Sequence, residues 1–159
     1  MAIFLLATVH CSPLWARGGG GCISPDAMVA TPNGPVPVEK LKVGDRVWTW
    51  NLGASEPGSV EGVFVSQGRS LLTIRTREGA LSLTREHLVM TGPGEYRRAE
   101  SLAPGKRVLV LREGKVRSRR IREITVKDWD GPVYNLLVLP GGTFASNSIL
   151  THNKGCFLP

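Results

Sequence analysis

The sequence predicts an all-β domain of short strands built as two related halves, and three observations lead there. From Asp26 onward, short apolar stretches alternate with Gly, Pro and Asn punctuation every dozen or so residues, the pattern of many strands joined by turns. No amphipathic helix of useful length interrupts that pattern. The third observation is an internal repeat: Glu39, Leu41, Gly44, Arg46 and Val47 return as Glu100, Leu102, Gly105, Arg107 and Val108, each displaced by 61 positions. Thr31 and Gly34 return as Thr91 and Gly94, displaced by 60. So many matches in one order point to a duplicated β-unit, its halves facing each other across an approximate two-fold axis.

Taken in order, Asn33 and Gly34 give a hairpin-turn signal ahead of Val36, Pro37 and Val38, because Asn and Gly accept the positive φ that such turns require. Leu72, Thr73, Ile74 and Arg75 alternate with period two, so one face points inward, and Glu78 with Gly79 turns the chain back into Leu81 and Leu83. Glu113 with Gly114 and Asp130 with Gly131 mark two further turns. Prolines are expected at strand edges and starts, where a missing N–H donor is tolerated.

The chain has 159 residues, enough for one domain with a substantial core and little room for a second. Cysteines at positions 11, 22 and 156 lack Cys-x-x-Cys spacing, so neither a disulfide framework nor a structural zinc site is indicated, and no cofactor is expected. The net charge of +7 is densest at Arg117, Arg119, Arg120 and Arg122. No aromatic residues interleave with that cluster, so it reads as a solvated basic face rather than a specific nucleic-acid site. The apolar run from Ala2 to Val9 is too short to cross a bilayer as a helix, and no membrane partner is expected. It reads either as a signal-peptide core or as the tail of an upstream host segment. Gly18 to Gly21 come next as a flexible linker.

Three short motifs carry chemistry. His152 and Asn153 form a pair in which the asparagine amide nitrogen can close on its own carbonyl carbon, giving a succinimide and releasing the downstream segment; the imidazole can polarise that carbonyl or protonate the departing nitrogen. Alone, such a pair is an ordinary strand end. Cys22 comes directly after the glycine run and can attack the Gly21 carbonyl in an N-to-S acyl shift, although a lone cysteine is commonly just a small buried side chain. Between them, Thr84 and His87 form a Thr-x-x-His in an apolar, strand-like setting, where a histidine by itself reads as a satisfied core residue.

In this order and at these separations, Cys22, Thr84 with His87, and His152 with Asn153 resemble the Hint family, the self-processing domains shared by inteins, bacterial intein-like domains and hedgehog autoprocessing modules. The stretches Val133 to Val138 and Phe144 to Asn147 resemble the family's penultimate strand pair. The resemblance implies a Hint domain over 22–153, an N-terminal flank with its glycine linker over 1–21, and a C-terminal flank over 154–159. It implies a flattened, horseshoe-like all-β fold with pseudo-two-fold symmetry, whose termini meet at the centre. Cys22 is then the nucleophile, Thr84 and His87 hold and protonate the first scissile peptide, and His152 with Asn153 cleaves the second. The substrate is the chain's own flanking polypeptide, the thioester acceptor is water, a small thiol or an amine, and a monomer is expected.

Two positions depart from the family pattern. Lys154 stands where splicing inteins place Cys, Ser or Thr, which favours cleavage over splicing and brings the chain nearer to bacterial intein-like domains. Gly142 stands where many relatives carry a histidine that assists asparagine cyclisation. The competing reading is a catalytically degenerate Hint fold serving as a basic binding or display module. Gly155, Cys156, Phe157 and Pro159 also repeat the spacing of Gly21, Cys22, Ile23 and Pro25, as though another unit began there or Cys156 were a displaced acceptor.

Overall fold

Strand pairing in the computed structural model follows the repeat seen in the sequence, residue for residue. The structure describes residues 21–153; the apolar run at 2–9, Cys11, the glycines before Gly21, Lys154 and the Gly-Cys repeat at 155–159 lie outside the described residues. In the first half, β1 (Met28–Val29) pairs with β2 (Val36–Pro37), a 3₁₀ turn spans Val38–Lys40, and β3 (Arg46–Asn51) comes next. In the second half, β6 (Leu88–Gly92) pairs with β7 (Glu95–Arg98), a 3₁₀ turn spans Ala99–Ser101, and β8 (Arg107–Arg112) comes next. The turns into β3 and β8 each need a glycine in the left-handed region, Gly44 at φ 94° and Gly105 at φ 87°. Their amide protons donate to Val60 O and Ile121 O respectively, both at 2.8 Å.

The remaining strands are β4 (Ala54–Arg75), β5 (Ala80–Leu83), β9 (Lys115–Arg120), β10 (Glu123–Leu139), β11 (Thr143–Ser146) and β12 (Ile149–His152). The closing β11–β12 hairpin joins the two halves. β11 meets β1 at Ser146↔Val29 and β3 at Phe144↔Thr49. β12 meets β6 at Thr151↔Val89 and β8 at Ile149↔Val110. No α-helix occurs among the described residues, and all twelve strands belong to one sheet. The core is the set of inward residues of both halves, including Val47, Val60, Val108, Ile121, Leu136 and Phe144.

Two strands are much longer than the punctuation suggests, β4 with 22 residues and β10 with 17. They pair antiparallel from Ser59↔Leu139 to Arg75↔Glu123, with irregularities between Asp128 and Gly131 and between Leu137 and Val138. Asp130–Gly131, read from the sequence as a turn, therefore lies inside β10. Gly131 faces Gly68 across the pair, and this bulge lets a long ribbon bend without breaking its ladder. The Asn33–Gly34, Glu78–Gly79 and Glu113–Gly114 turns are present where expected.

Candidate functional site

Ile23 carries the beginning of the described chain into the sheet. It bridges Leu83 on β5 and Tyr134 on β10, exchanging backbone hydrogen bonds with Tyr134 at 2.7 and 2.9 Å. This leaves Cys22 beside Thr84, whose backbone N–H donates to Cys22 O at 2.8 Å. In return the Cys22 N–H, which belongs to the Gly21–Cys22 peptide, donates to Thr84 Oγ1 at 2.9 Å. A hydroxyl thus holds the nitrogen of that peptide.

Cys22 is 4% exposed and packs with Leu71, Val133 and Trp129. Burial pushes its thiol up to about 11; a hydrogen bond from the Ser66 side chain opposes the rise and the charge of Glu86 adds to it. The resting group is therefore a neutral thiol. His87 is 1% exposed, and burial holds its imidazole down to about 4, with the Gly21 backbone offsetting part of the effect and the charge of His152 adding to it. Neither ring nitrogen of His87 meets a hydrogen-bond partner at good geometry. The ring thus lies in the core with neither nitrogen in a well-formed hydrogen bond, and the Gly21 backbone is the polar group that acts on it, a costly arrangement away from a functional site.

Gly21 packs on the His87 backbone so closely that an added Cβ would collide with His87 Cα. The last glycine of the run is thus a close-approach residue as well as the end of a linker. Backbone contacts keep this neighbour in place, since the His87 N–H donates to Thr84 O at 3.1 Å and the His87 carbonyl accepts from Ala99 N–H at 2.9 Å.

At the other end, β12 delivers His152 opposite Leu88, next in sequence to His87. That pairing brings His152 near enough to His87 for its charge to act on the His87 ring. Asn153 is 2% exposed, and its backbone N–H donates to Gly142 O at 2.8 Å. Its side-chain amide, oriented by its neighbours, donates from Nδ2 to Gly142 O and accepts at Oδ1 from Val138 N–H at 3.3 Å. Gly142 has φ 68°, and a Cβ there would collide with the Asn153 amide. In this chain the Asn153 side chain fills the space beside position 142, which a histidine could enter only by displacing it.

Burial also holds the His152 pKa below its usual range. Its Nδ1 lies 3.1 Å from Thr143 Oγ1, Thr143 Oγ1 lies 2.6 Å from the Tyr96 hydroxyl, and the Tyr96 and His152 rings pack with centroids 4.6 Å apart. Ser66, Tyr96 and Thr143 were not legible as site residues. Thr143 sits beside the anomalous Gly142, which is the one local signal; the other two lie on strands remote in sequence. No cluster of His, Cys, Asp and Glu suited to a metal ion occurs among the described residues.

Residues 21–79 match the Hint domain family. No curated protein sequence matches the chain significantly. Among solved structures, the fold is similar to a DnaB intein from Synechocystis sp., with TM-score 0.77 and 22% identity over 85% of this chain and 99% of that one. It is similar to a bacterial intein-like domain from Clostridium thermocellum, with TM-score 0.73 and 22% identity over 86% of this chain and 100% of that one. The gp41-1 intein aligns at 27% identity and TM-score 0.69 over 85% of this chain and 100% of its own length.

Proposed function

We propose that this chain, whose residues 21–79 match the Hint domain family and whose fold is that of the inteins and the intein-like domain above, cuts its own backbone at Gly21–Cys22 through a thioester and at Asn153–Lys154 through a succinimide. At the first bond, Cys22 Sγ attacks the Gly21 carbonyl carbon, the S–C bond forms, the C–N bond breaks, and the thiol proton ends on the Cys22 nitrogen. A neutral His87 is suited to both parts of that transfer, accepting a proton from a neutral thiol and giving one to the departing nitrogen. The Thr84 contact strengthens as that nitrogen gains positive charge, so it stabilises the transition state more than the ground state. The observation that carries the reading is this pairing of an amide held by Thr84 Oγ1 with a buried His87 packed on Gly21.

Water, a small thiol or an amine then resolves the thioester. At the second bond, Asn153 Nδ2 attacks its own carbonyl carbon, the bond to Lys154 breaks, and one Nδ2 proton passes to the Lys154 nitrogen with the help of His152. Lys154 carries no hydroxyl or thiol to receive the acyl group, so cleavage prevails over splicing. The test is intact mass after expression with folded tags on both ends. Cys22→Ala is expected to abolish thiol-induced N-terminal release while C-terminal release continues, and Asn153→Ala to do the reverse. Retention of both tags by the parent chain would instead leave an inert Hint fold acting as a display or binding module.

A further inference from the structure

We propose that Tyr96 and Thr143 are positioning residues for His152, forming a two-hydroxyl relay that sets which nitrogen of its imidazole carries the proton. The relay spans neighbouring strands: Thr143 on β11 faces His152 on β12, and Tyr96 reaches in from β7 on the far side of β6. The successive separations are 2.6 Å from Tyr96 hydroxyl to Thr143 Oγ1 and 3.1 Å from Thr143 Oγ1 to His152 Nδ1. Thr143 is 0% exposed, so its hydroxyl has no open water to turn to.

A threonine hydroxyl has one proton, so its two contacts are coupled. When it accepts from Tyr96 it donates to Nδ1, and Nε2 carries the imidazole proton. When it accepts from Nδ1–H it donates to Tyr96, and Nε2 is a bare acceptor. The phenol is the stronger acid of the two hydroxyls, so the resting direction runs from Tyr96 through Thr143 to Nδ1, which leaves an Nε2–H donor. Turning the two hydroxyls changes which tautomer they favour but moves no proton, so the relay holds His152 in the neutral Nε2–H form, and the imidazolium is the form that burial disfavours here. For the asparagine cyclisation above, on which the functional part of this inference rests, Nε2–H gives its proton to the Lys154 nitrogen and takes the Asn153 Nδ2 proton in its place, so the ring starts and ends neutral and protonated at Nε2.

Two measurements test it. In the Asn153→Ala chain, where the C-terminal bond stays intact, ¹⁵N resonances of the His152 ring are expected to report mainly the Nε2–H tautomer. Thr143→Val and Tyr96→Phe are expected to shift the ratio, and Thr143→Ser to restore it; an unchanged ratio in both removals overturns the relay. In the doubly tagged chain, Thr143→Val is expected to slow C-terminal release about tenfold or more and Tyr96→Phe less, with Thr143→Ser near the parent rate and thiol-induced N-terminal release unchanged in all three. Parent-like C-terminal rates in both Thr143→Val and Tyr96→Phe would overturn the functional role. If the parent itself releases nothing at Asn153, the proposed cleavage fails at that bond, while the ring tautomer still decides the relay.

Discussion

Ser24–Ala27 and Thr84–His87 are the same turn built twice. In each, the fourth residue's N–H donates to the first residue's carbonyl, at 3.0 Å for Ala27 to Ser24 and 3.1 Å for His87 to Thr84. The fourth residue's carbonyl accepts from the 3₁₀ turn of its own half, from Val38 and from Ala99, both at 2.9 Å. The second residue's carbonyl does likewise, accepting from Glu39 at 3.2 Å and Glu100 at 3.0 Å. The backbones agree, and the environments do not. Ala27 is an apolar member of the core, and the Ser24 N–H is used by Ser82 on β5. His87 places a buried imidazole against Gly21, and the Thr84 N–H and hydroxyl both grip Cys22. The duplicated unit supplies a turn that stands without chemistry; the site arises where one copy receives a polar side chain and the chain's beginning is laid across it.

The comparison breaks most sharply if the second turn is given the first turn's residue. His87→Ala is expected to lower thiol-induced N-terminal release by about 10² to 10⁴, the usual worth of a positioned acid or base, measured by intact mass over time. Undiminished release in that variant would remove His87 from the mechanism.

Acid should act on one turn and not on its copy. The folded-state pKa of His87, about 4, lies below the ordinary value near 6.5, so between these pH values the unfolded chain binds more protons and stability rises with pH. The contribution is fully present above about pH 6.5 and is lost as pH falls towards 4, roughly 3 kcal/mol in all. Burial shifts His152 in the same direction, so the diagnostic is a difference. Urea midpoints at pH 7 and 4.5 should move less in His87→Ala than in the parent, and equal movement would contradict the assigned cause.

The reciprocal exchange, Ala27→His, puts an imidazole into a core position that is 0% exposed. It is expected to cost about 1–3 kcal/mol by overpacking and to create no new cleavage, because no scissile peptide lies over that turn. Smaller and shared effects should come from Gly44→Ala and Gly105→Ala. Both glycines have φ near 90° with nothing within 4 Å of an added Cβ, so each change should cost about 1–2 kcal/mol in denaturant unfolding, and nearly equally. Thr84→Ser, which copies Ser24 and keeps the hydroxyl, should stay near the parent release rate, whereas Thr84→Val should not.

The local signals in the chain were legible wherever their physics was local. Gly44 and Gly105, Asn33–Gly34 and the alternation from Leu72 to Arg75 announce turns and an inward face because φ and side-chain direction depend on a few adjacent residues. Asp130–Gly131 misled for the same reason, since the pair has turn chemistry but lies opposite β4, whose length supplies ladder partners on both sides of the bulge. Long-range pairing overrode a short-range preference there.

What the sequence determined by itself was the all-β pattern, the repeat that doubles the β-unit, and the residue types at Cys22, Thr84, His87, His152 and Asn153 that the proposed chemistry requires. Tertiary structure alone decided their state. Burial makes the Cys22 thiol and the His87 ring neutral at pH 7, and pairing of β12 with β6 sets His152 beside the neighbour of His87. Close packing of Gly21 on His87 and the hydroxyls of Tyr96 and Thr143 beside His152 complete the two proposed junctions. The physical reason is that protonation and hydrogen bonding respond to desolvation and distance, and for groups 60 or more positions apart both are properties of the folded sheet rather than of any stretch of chain.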